Sequence, residues 1–243
     1  TPKPSSAASD VYKRQVRPVG QADDYAGGRI ERVNLATGRA ERLYDSVEGG
    51  ALCGPNDIVF DAHRGFYFTD LGKVRERDMD RGGLFYGHAG GAAAHAIARP
   101  VMTPNGVALS PDGRTLYYAE TEGARVWAFD IVAPGRVRKD GWPSPHGGRM
   151  LCASPGGHYQ RFDSMAVDAL GNLCVATLLH GGISIVPPDG GQVEHLPLPD
   201  RYTTNICFGG PGLRTAFITL SGSGRLIAID DWPTPGLALN HEA

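Results

Sequence analysis

Four stretches of the chain share one pattern of polar and apolar positions. Each begins at a polar residue, continues as an alternating apolar run, reverses at a short turn and returns as a second apolar run. The opening residues are Asn56, Asn105, Asp163 and Asn205. Alternation with a period of two is typical of strands that bury one face. The pattern therefore predicts four β-hairpins, each opened by a polar side chain.

The spacing of these hairpins predicts a repeat architecture. The opening residues are 49, 58 and 42 residues apart, in or near the range of repeats that build propellers, solenoids and arrays. Further strand-like runs lie between the hairpins, so each repeat suits a four-stranded antiparallel sheet. We therefore predict an all-β fold, a β-propeller with four-stranded antiparallel blades.

The start of the chain has a different character. Residues 1–15 are small, polar and aperiodic, and they lack the apolar core of a signal peptide. We interpret them as a non-native or disordered leader and expect residues 16–243 to form a single, incomplete propeller domain. Residues 28–44 supply only an outer hairpin. We therefore expect the first blade and part of the second to be missing from this sequence.

Composition narrows the choice of partners. The chain carries 34 glycines and 18 prolines beside 41% hydrophobic residues, which is typical of a globular protein rich in turns. Its formal net charge of -2 provides no basic surface for a phosphate backbone, and no apolar run is long enough to span a bilayer. We expect neither nucleic acid nor a membrane as a partner.

The four cysteines bear on the cellular compartment. Cys53, Cys152, Cys174 and Cys207 show no C-x-x-C spacing, and the last two lie within apolar strands. We expect buried, reduced thiols, with paired disulfides as the alternative interpretation. Reduced thiols favour a cytoplasmic protein.

The aligned polar residues indicate a metal site. The innermost strands of a propeller surround its axis, so their first residues converge on one mouth of the central channel. Amide and carboxylate oxygens are ligands for hard divalent ions such as Ca²⁺, Mg²⁺ or Mn²⁺. Asn or Asp can also begin a strand by capping a turn, but turn chemistry does not require the same position in every repeat. We predict one divalent ion at this mouth, with a further carboxylate ligand in the missing hairpin.

Two connections between strands are expected on the same face as the metal site. In an antiparallel meander, the connection from the second to the third strand lies beside the entry to the first. Residues 73–81 form a highly charged connection of this kind, either a solvated loop or a lid in which Arg75 contacts substrate. His180 lies in the equivalent connection of the third repeat and His158 precedes that repeat. We interpret each of these two histidines either as a residue of the site or as an ordinary histidine on the surface.

Several motifs together resemble a known family. "GPNDIVFD", "TPNGVALSPDG", "FDSMAVDALGNLCVATL", "GGISIVPPDG" and "TTNICFGG" are similar, in order and spacing, to the gluconolactonase family that includes regucalcin and the luciferin-regenerating enzyme. The resemblance covers residues 28–235. It implies a six-bladed propeller with one divalent metal ion, Ca²⁺ first and Zn²⁺, Mn²⁺ or Mg²⁺ as alternatives, and hydrolysis of a sugar lactone or similar small lactone.

The resemblance also implies roles for individual residues. Asn105 and Asp163 would bind the metal, and Asn56 would bind the metal or the substrate. Asp163 would act as the general base with Asp57 behind it. If the base were a histidine instead, His180 would be the best placed, with His158 as the second candidate. Together with the repeat alignment and the strand connections described above, this predicts substrate contacts from Asn56, His180, Asn205 and Arg75.

The sequence departs from the family pattern at two places. The glutamate of a first-blade E-G-P motif has no counterpart, and Ser164 replaces the glycine that commonly follows the aspartate. Phosphotriester hydrolysis and a propeller that binds a ligand or protein without catalysis remain alternative functions. A serine hydrolase is disfavoured because the chain has no G-x-S-x-G motif.

Overall fold

The computed structural model describes residues 25–153 and 155–240, so the predicted leader, residues 1–15, lies outside the described residues. Within them, strands account for the regular structure apart from two 3₁₀ turns at Pro155–Gly157 and Pro211–Leu213. The chain first forms two small hairpins. Their strands are β1 (Ile30–Val33), β2 (Ala40–Tyr44), β3 (Ser46–Val47) and β4 (Gly50–Ala51).

Two antiparallel sheets follow, which we call blades I and II. The strands of blade I pair in chain order: β5 (Pro55–Phe60), β6 (Gly65–Asp70), β7 (Gly82–His88) and β8 (His95–Val101). Blade II differs because its third strand pairs with a short extra strand as well as with the outer strand. Its strands are β9 (Pro104–Leu109), β10 (Thr115–Glu120), β11 (Arg125–Ala133), β12 (Arg136–Val137) and β13 (Arg149–Ala153).

Blades III and IV complete the series. Blade III contains four strands in chain order: β14 (Arg161–Val167), β15 (Leu173–Leu178), β16 (Gly182–Val186) and β17 (Glu194–Pro197). Among the described residues, blade IV contains three: β18 (Thr203–Gly209), β19 (Thr215–Leu220) and β20 (Arg225–Ile229).

The first strands of the four blades lie side by side. β5 contacts β9, β9 contacts β14, and β14 contacts β18. This is the propeller arrangement, in which the first strands of successive blades surround a common axis. The predictions of an all-β fold and of antiparallel propeller blades are confirmed. A total of six blades, of which this sequence lacks the first and part of the second, stays a prediction.

Apolar side chains fill the interfaces between neighbouring blades. Tyr67, Tyr118 and Phe129 are fully buried between blades I and II, and Phe162 and Leu173 are fully buried between blades II and III. Each such side chain contributes about 1.5–3 kcal/mol through removal of its surface from water. Blades II and III are covered by a neighbouring blade on both faces, and their second strands, β10 and β15, have buried residues at nearly every position.

Aspartates organise the turns between the first two strands of blades I and III. Asp61 Oδ1 accepts hydrogen bonds from the backbone N–H of His63 at 2.7 Å and of Gly65 at 2.9 Å. Asp168 Oδ1 accepts from residues at the same offsets, Leu170 and Asn172, both at 2.9 Å. These carboxylates satisfy turn amides, and they lie at the opposite end of the strands from Asn56 and Asp163.

The last described segment, residues 235–240, crosses the end of the blades that carries these turns, which we call the turn end. Ala169 N–H donates to Pro235 O at 2.8 Å, Leu237 N–H donates to Val167 O at 2.9 Å, and Asn240 Nδ2 donates to Phe60 O at 3.1 Å. A cavity of about 480 Å³ lies beside it between the inner strands. The segment therefore links blade III to blade I at the end of the channel remote from the aligned polar residues.

All four cysteines are free thiols, which confirms reduced cysteines over disulfides. Only Cys174 is fully buried; Cys53, Cys152 and Cys207 are partly buried. Burial raises the pKa of Cys152 to about 11 and of Cys174 to about 12, so both stay protonated at neutral pH. No helix among the described residues is long and apolar enough to cross a membrane.

A chain of hydrogen bonds inside blade II fixes the protonation of His146. Gly148 N–H donates to Nδ1 at 3.3 Å, so the ring proton lies on Nε2, which donates to Tyr118 Oη at 2.8 Å. The Tyr118 hydroxyl then donates to Glu120 at 3.4 Å. Burial, and next the positive charges of Arg125 and other basic residues, lower the pKa of His146 to about 4.

We expect this histidine to make folding sensitive to acid. Its pKa falls from 6.5 to about 4 on folding, so the unfolded chain takes up the proton first as the pH is lowered. The stability that depends on a neutral His146 is therefore fully present above pH 6.5 and is lost as the pH falls towards 4. We expect the free energy of unfolding to decrease by about 2 kcal/mol over this range. Urea unfolding at pH 7, 5.5 and 4.5 measures this loss. His146→Gln should have a flatter pH dependence than wild type, and equal slopes would contradict the assignment.

Candidate functional site

The first strand of each blade is interrupted by a β-bulge at the same place. In blades I to III the strand advances three residues while its partner advances two, so one residue is extra. The bulged pairs are Asn56 with Asp57, Asn105 with Gly106, and Asp163 with Ser164. A bulge breaks the regular alternation and redirects the side chains that it contains. Three of the polar residues aligned by sequence therefore occupy one equivalent structural position.

Blade IV shifts the alignment by one residue. Its ladder passes from Thr203 to Asn205 while the partner strand advances one residue, which makes Thr204 the extra residue. Asn205 Oδ1 accepts the N–H of Ile206 at 2.8 Å, the contact that Asp57 Oδ1 makes with Ile58 at 2.9 Å. Thr204 therefore corresponds to Asn56, and Asn205 corresponds to Asp57. As a substrate contact, Asn205 stays a prediction.

Hydrogen bonds tie blade I to blade II at the level of the bulges. The Thr69 hydroxyl donates to Asn105 O at 2.7 Å and accepts from Asp57 N–H at 3.1 Å. Asp57 Oδ2 accepts from Val107 N–H at 3.2 Å. Since both carboxylate oxygens of Asp57 accept backbone amides, this residue holds the two inner strands together behind Asn56.

A glycine permits the close approach of blades II and III. A Cβ atom on Gly106 would lie 2.8 Å from both Asp163 O and Met165 N, which is shorter than real Cβ contacts. The absence of a side chain therefore lets β14 pass directly against β9. As a result, Asn105 and Asp163 lie on adjacent strands at the same height.

The aligned side chains are nearly excluded from solvent. Asn56 is 8% exposed, Asn105 0% and Asp163 5%. Asn105 Nδ2 donates to Thr121 Oγ1 at 3.0 Å, whereas Asn105 Oδ1 is buried with no hydrogen-bond partner. A buried carbonyl oxygen without a partner is costly, and coordination of a hard cation would remove that cost. The residues present therefore fit a divalent ion.

The proposed metal ligands differ from those of a site built from several carboxylates, imidazoles or thiolates. Across residues 25–153 and 155–240, no three His, Cys, Asp or Glu side chains come close enough to hold a metal ion. Amide oxygens from Asn56 and Asn105 would therefore have to complete a ligand set that contains the Asp163 carboxylate. Such a set carries little charge and suits an oxygen-preferring ion.

Arg75 lies in the connection predicted to cover this face. Leu71 N–H donates to Gly54 O at 2.9 Å, which places the start of the connection beside the strand that leads to Asn56. The guanidinium of Arg75 donates to the carboxylates of Asp78 and Asp80, the latter at 2.7 Å. Its charge is therefore already balanced within its own loop, and its contact with substrate stays a prediction.

His180 lies between two other histidine rings. Its ring centroid is 4.8 Å from that of His158 and 4.3 Å from that of His195. Burial is the main cause of a lowered pKa at His195, to which His180 also contributes. The structure thus places His180 in a stack of rings beside blade III, and its role towards substrate stays a prediction.

Three threonines escaped the sequence analysis. Thr204 occupies the fourth bulge, Thr69 joins blades I and II, and Thr121 binds the Asn105 amide. Threonine is common in strands for reasons unrelated to function. The sequence does place Thr204 directly before Asn205. Because Asn205 is an amide like Asn56 and Asn105, the alignment by residue type selected Asn205 and passed over Thr204.

The sequence is similar to characterised proteins over most of its length. Residues 23–222 match the family model described as SMP-30/Gluconolactonase/LRE-like region. The chain is 29% identical over 197 residues to the 6-deoxy-6-sulfogluconolactonase of Pseudomonas putida, covering 81% of this chain and 64% of that protein. It is 29% identical over 248 aligned positions to the gluconolactonase of Zymomonas mobilis, covering 90% and 66%. The chain thus spans just under two thirds of the length of these relatives.

A relative with another activity also matches. The diisopropyl-fluorophosphatase of Loligo vulgaris is 30% identical over 183 residues, covering 71% of this chain and 55% of that protein. Among solved structures, a gluconolactonase from Xanthomonas campestris has a TM-score of 0.62 at 26% identity, covering 79% of this chain and 62% of that one. The calcium-binding protein regucalcin from Agrobacterium tumefaciens has a TM-score of 0.64 at 21% identity, covering 78% and 60%, and supports the fold alone.

Proposed function

Because the chain belongs to the SMP-30/gluconolactonase/LRE-like family, we propose that it opens a small lactone, such as a sugar lactone, with a divalent metal ion at the mouth of the propeller channel. The similarity to two proteins named as gluconolactonases of different kinds supports the substrate class. The observation that carries the proposal is the buried Asn105 Oδ1 without a hydrogen-bond partner. A cation at the channel mouth would supply the partner that this oxygen lacks.

Three residues would hold the ion: Asn105, Asp163 and Asn56. Ca²⁺ is the ion that we favour because amide and carboxylate oxygens are hard ligands; Zn²⁺, Mn²⁺ and Mg²⁺ are the alternatives. When bound, such an ion supplies Lewis-acid polarisation of the lactone carbonyl. The glutamate of the family pattern has no counterpart in this sequence, so this set contains one carboxylate.

Side chains of the protein accept the proton and bind the substrate. Asp163 accepts the proton of the water that attacks the carbonyl carbon, since it is the only carboxylate among the first residues of the four bulges. The other carboxylate at a bulge, Asp57, already accepts two backbone amides. Asp57 keeps Asn56 in place through its two backbone contacts. Asn56, Asn205, His180 and Arg75 are proposed to contact the lactone. The attack forms a C–O bond to the water oxygen and breaks the ring ester bond. The proton accepted by Asp163 then passes to the ring oxygen that leaves, which gives a hydroxy acid.

Removal of metal tests this proposal directly. We expect hydrolysis of glucono-1,5-lactone, followed by acid release, to fall by at least about 100-fold after dialysis against a chelator. The rate should return when Ca²⁺, Zn²⁺ or Mn²⁺ is added. An unchanged rate after chelation, or no lactone turnover with any of these ions, would contradict the proposal.

Phosphotriester hydrolysis is the second candidate. It is favoured by the 30% identity to a diisopropyl-fluorophosphatase, and the same oxygen ligands would suit it. Metal-dependent turnover of an organophosphate without turnover of lactones would support it. Metal binding without turnover of either substrate would favour a propeller that only binds a ligand or protein.

The cellular location is a separate proposal. We propose a cytoplasmic location because the cysteines are free thiols, and cell fractionation tests this.

A further inference from the structure

Thr121 holds the side chain that carries the unpartnered oxygen. Asn105 Nδ2 donates to Thr121 Oγ1 at 3.0 Å, and both residues are buried, with 0% and 6% of their surfaces exposed. The amide group is planar, with its nitrogen and oxygen attached to one carbon. Fixing the nitrogen on Thr121 therefore fixes the direction of Oδ1, away from this hydroxyl.

Thr121 is itself held in place by Thr103. Thr121 N–H donates to Thr103 O at 3.0 Å, and Glu122 N–H donates to Thr103 Oγ1 at 2.9 Å. Thr103 has a φ of 31°, a conformation that favours glycine, and is 2% exposed. A residue with a side chain keeps this conformation only where surrounding contacts hold it. Its hydroxyl and carbonyl both serve the turn that carries Thr121.

An ion pair between the buried Glu120 and the partly exposed Arg125 holds the other side of the same turn. Glu120 is 2% exposed, and its Oε2 accepts from Arg125 Nε at 2.6 Å. Glu120 ends β10 and Arg125 begins β11, so the pair closes the turn that includes Thr121. The hydroxyl that receives the Asn105 amide is thus fixed from both directions.

We propose that Thr121 is a positioning residue that presents the Asn105 carbonyl oxygen to the metal ion. The inference rests on the proposed metal site. Without the hydroxyl acceptor, the amide nitrogen loses its partner and the group is free to rotate, so that the nitrogen competes with the oxygen for the ligand position. Outer-shell partners of metal ligands typically change affinity by about 10–100-fold.

The test compares the change Thr121→Val, which keeps the shape but removes the hydroxyl, with Thr121→Ser, which keeps the hydroxyl. Thr215→Val is the matched control, because the Thr215 hydroxyl is also buried and donates to Asp230 at 2.8 Å at the turn end of blade IV. Ca²⁺ affinity is measured by titration calorimetry on metal-free protein, beside thermal unfolding without metal. We expect Thr121→Val to bind Ca²⁺ about 10-fold more weakly, with Thr121→Ser and Thr215→Val close to wild type.

The outcomes separate this inference from the proposed function. Wild-type affinity in Thr121→Val, equal weakening in Thr121→Ser, or equal weakening in Thr215→Val would each overturn the positioning role. If Thr121 behaves as expected but no lactone is hydrolysed, the lactonase proposal fails and the positioning role stands. If wild-type protein binds none of Ca²⁺, Mn²⁺ and Zn²⁺, both fail.

Discussion

Asp163→Ala is expected to reduce lactone hydrolysis by about 10²–10⁴-fold, the range typical of loss of a general base, and to weaken Ca²⁺ binding strongly. Asp163 provides the only carboxylate among the first residues of the four bulges, Asn56, Asn105, Asp163 and Thr204. It is 5% exposed, and the Gly106 contact brings its strand against that of Asn105. Steady-state hydrolysis and calorimetric Ca²⁺ titration measure the two effects.

Two control variants show whether the loss is specific to this carboxylate. Ser164→Gly changes the second residue of the same bulge and should retain nearly the wild-type rate. Asp168→Asn alters a buried aspartate on the same hairpin, whose carboxylate serves turn amides. It should lower stability and leave Ca²⁺ affinity intact. Equal activity in Asp163→Ala and wild type would refute the assignment of Asp163.

Gly106→Ala is expected to lower the free energy of unfolding by about 2 kcal/mol or more, since overpacking of this kind forces backbone shifts. The added Cβ would lie 2.8 Å from Asp163 O and Met165 N. Both are backbone atoms, so no side-chain rotation relieves the contact. β9 and β14 must separate, which also moves Asn105 relative to Asp163 and should weaken Ca²⁺ binding.

Gly90→Ala is the matched control for this change. A Cβ on Gly90 would meet nothing within 4 Å, and its φ lies outside the left-handed region. Urea unfolding should therefore show a small effect for Gly90→Ala and a large effect for Gly106→Ala. Equal stability of the two variants would show that the close approach of blades II and III is not a constraint.

The hairpins were predictable because alternation records which face of a strand is buried. Asn56, Asn105 and Asp163 were correctly aligned because each blade repeats the same hairpin. In blade IV the alignment by residue type selected Asn205, whereas the ladder selects Thr204. The register of a bulge depends on hydrogen bonds between strands, and one additional residue leaves no mark in the apolar pattern.

The hydrogen bonds that support the site could not be predicted from the sequence, for a different reason. The hydroxyls of Thr69 and Thr121 reach Asn105 from positions 36 and 16 residues away. Such contacts depend on how the blades dock and how a turn is closed. Arg75 shows the same limit, because its charge was visible in the sequence but its pairing with Asp78 and Asp80 was not.

The bulge shared by all four blades has a consequence for how such a protein changes over evolutionary time. A domain that grows by copying one blade also copies the interruption in the inner strand, at the same height on the axis. Each copy then offers one side chain that can be exchanged while the strand pairing on either side is preserved. Asparagine, asparagine, aspartate and threonine occupy these places here. Single substitutions at these places can therefore change the ligand or substrate preference without a change of fold.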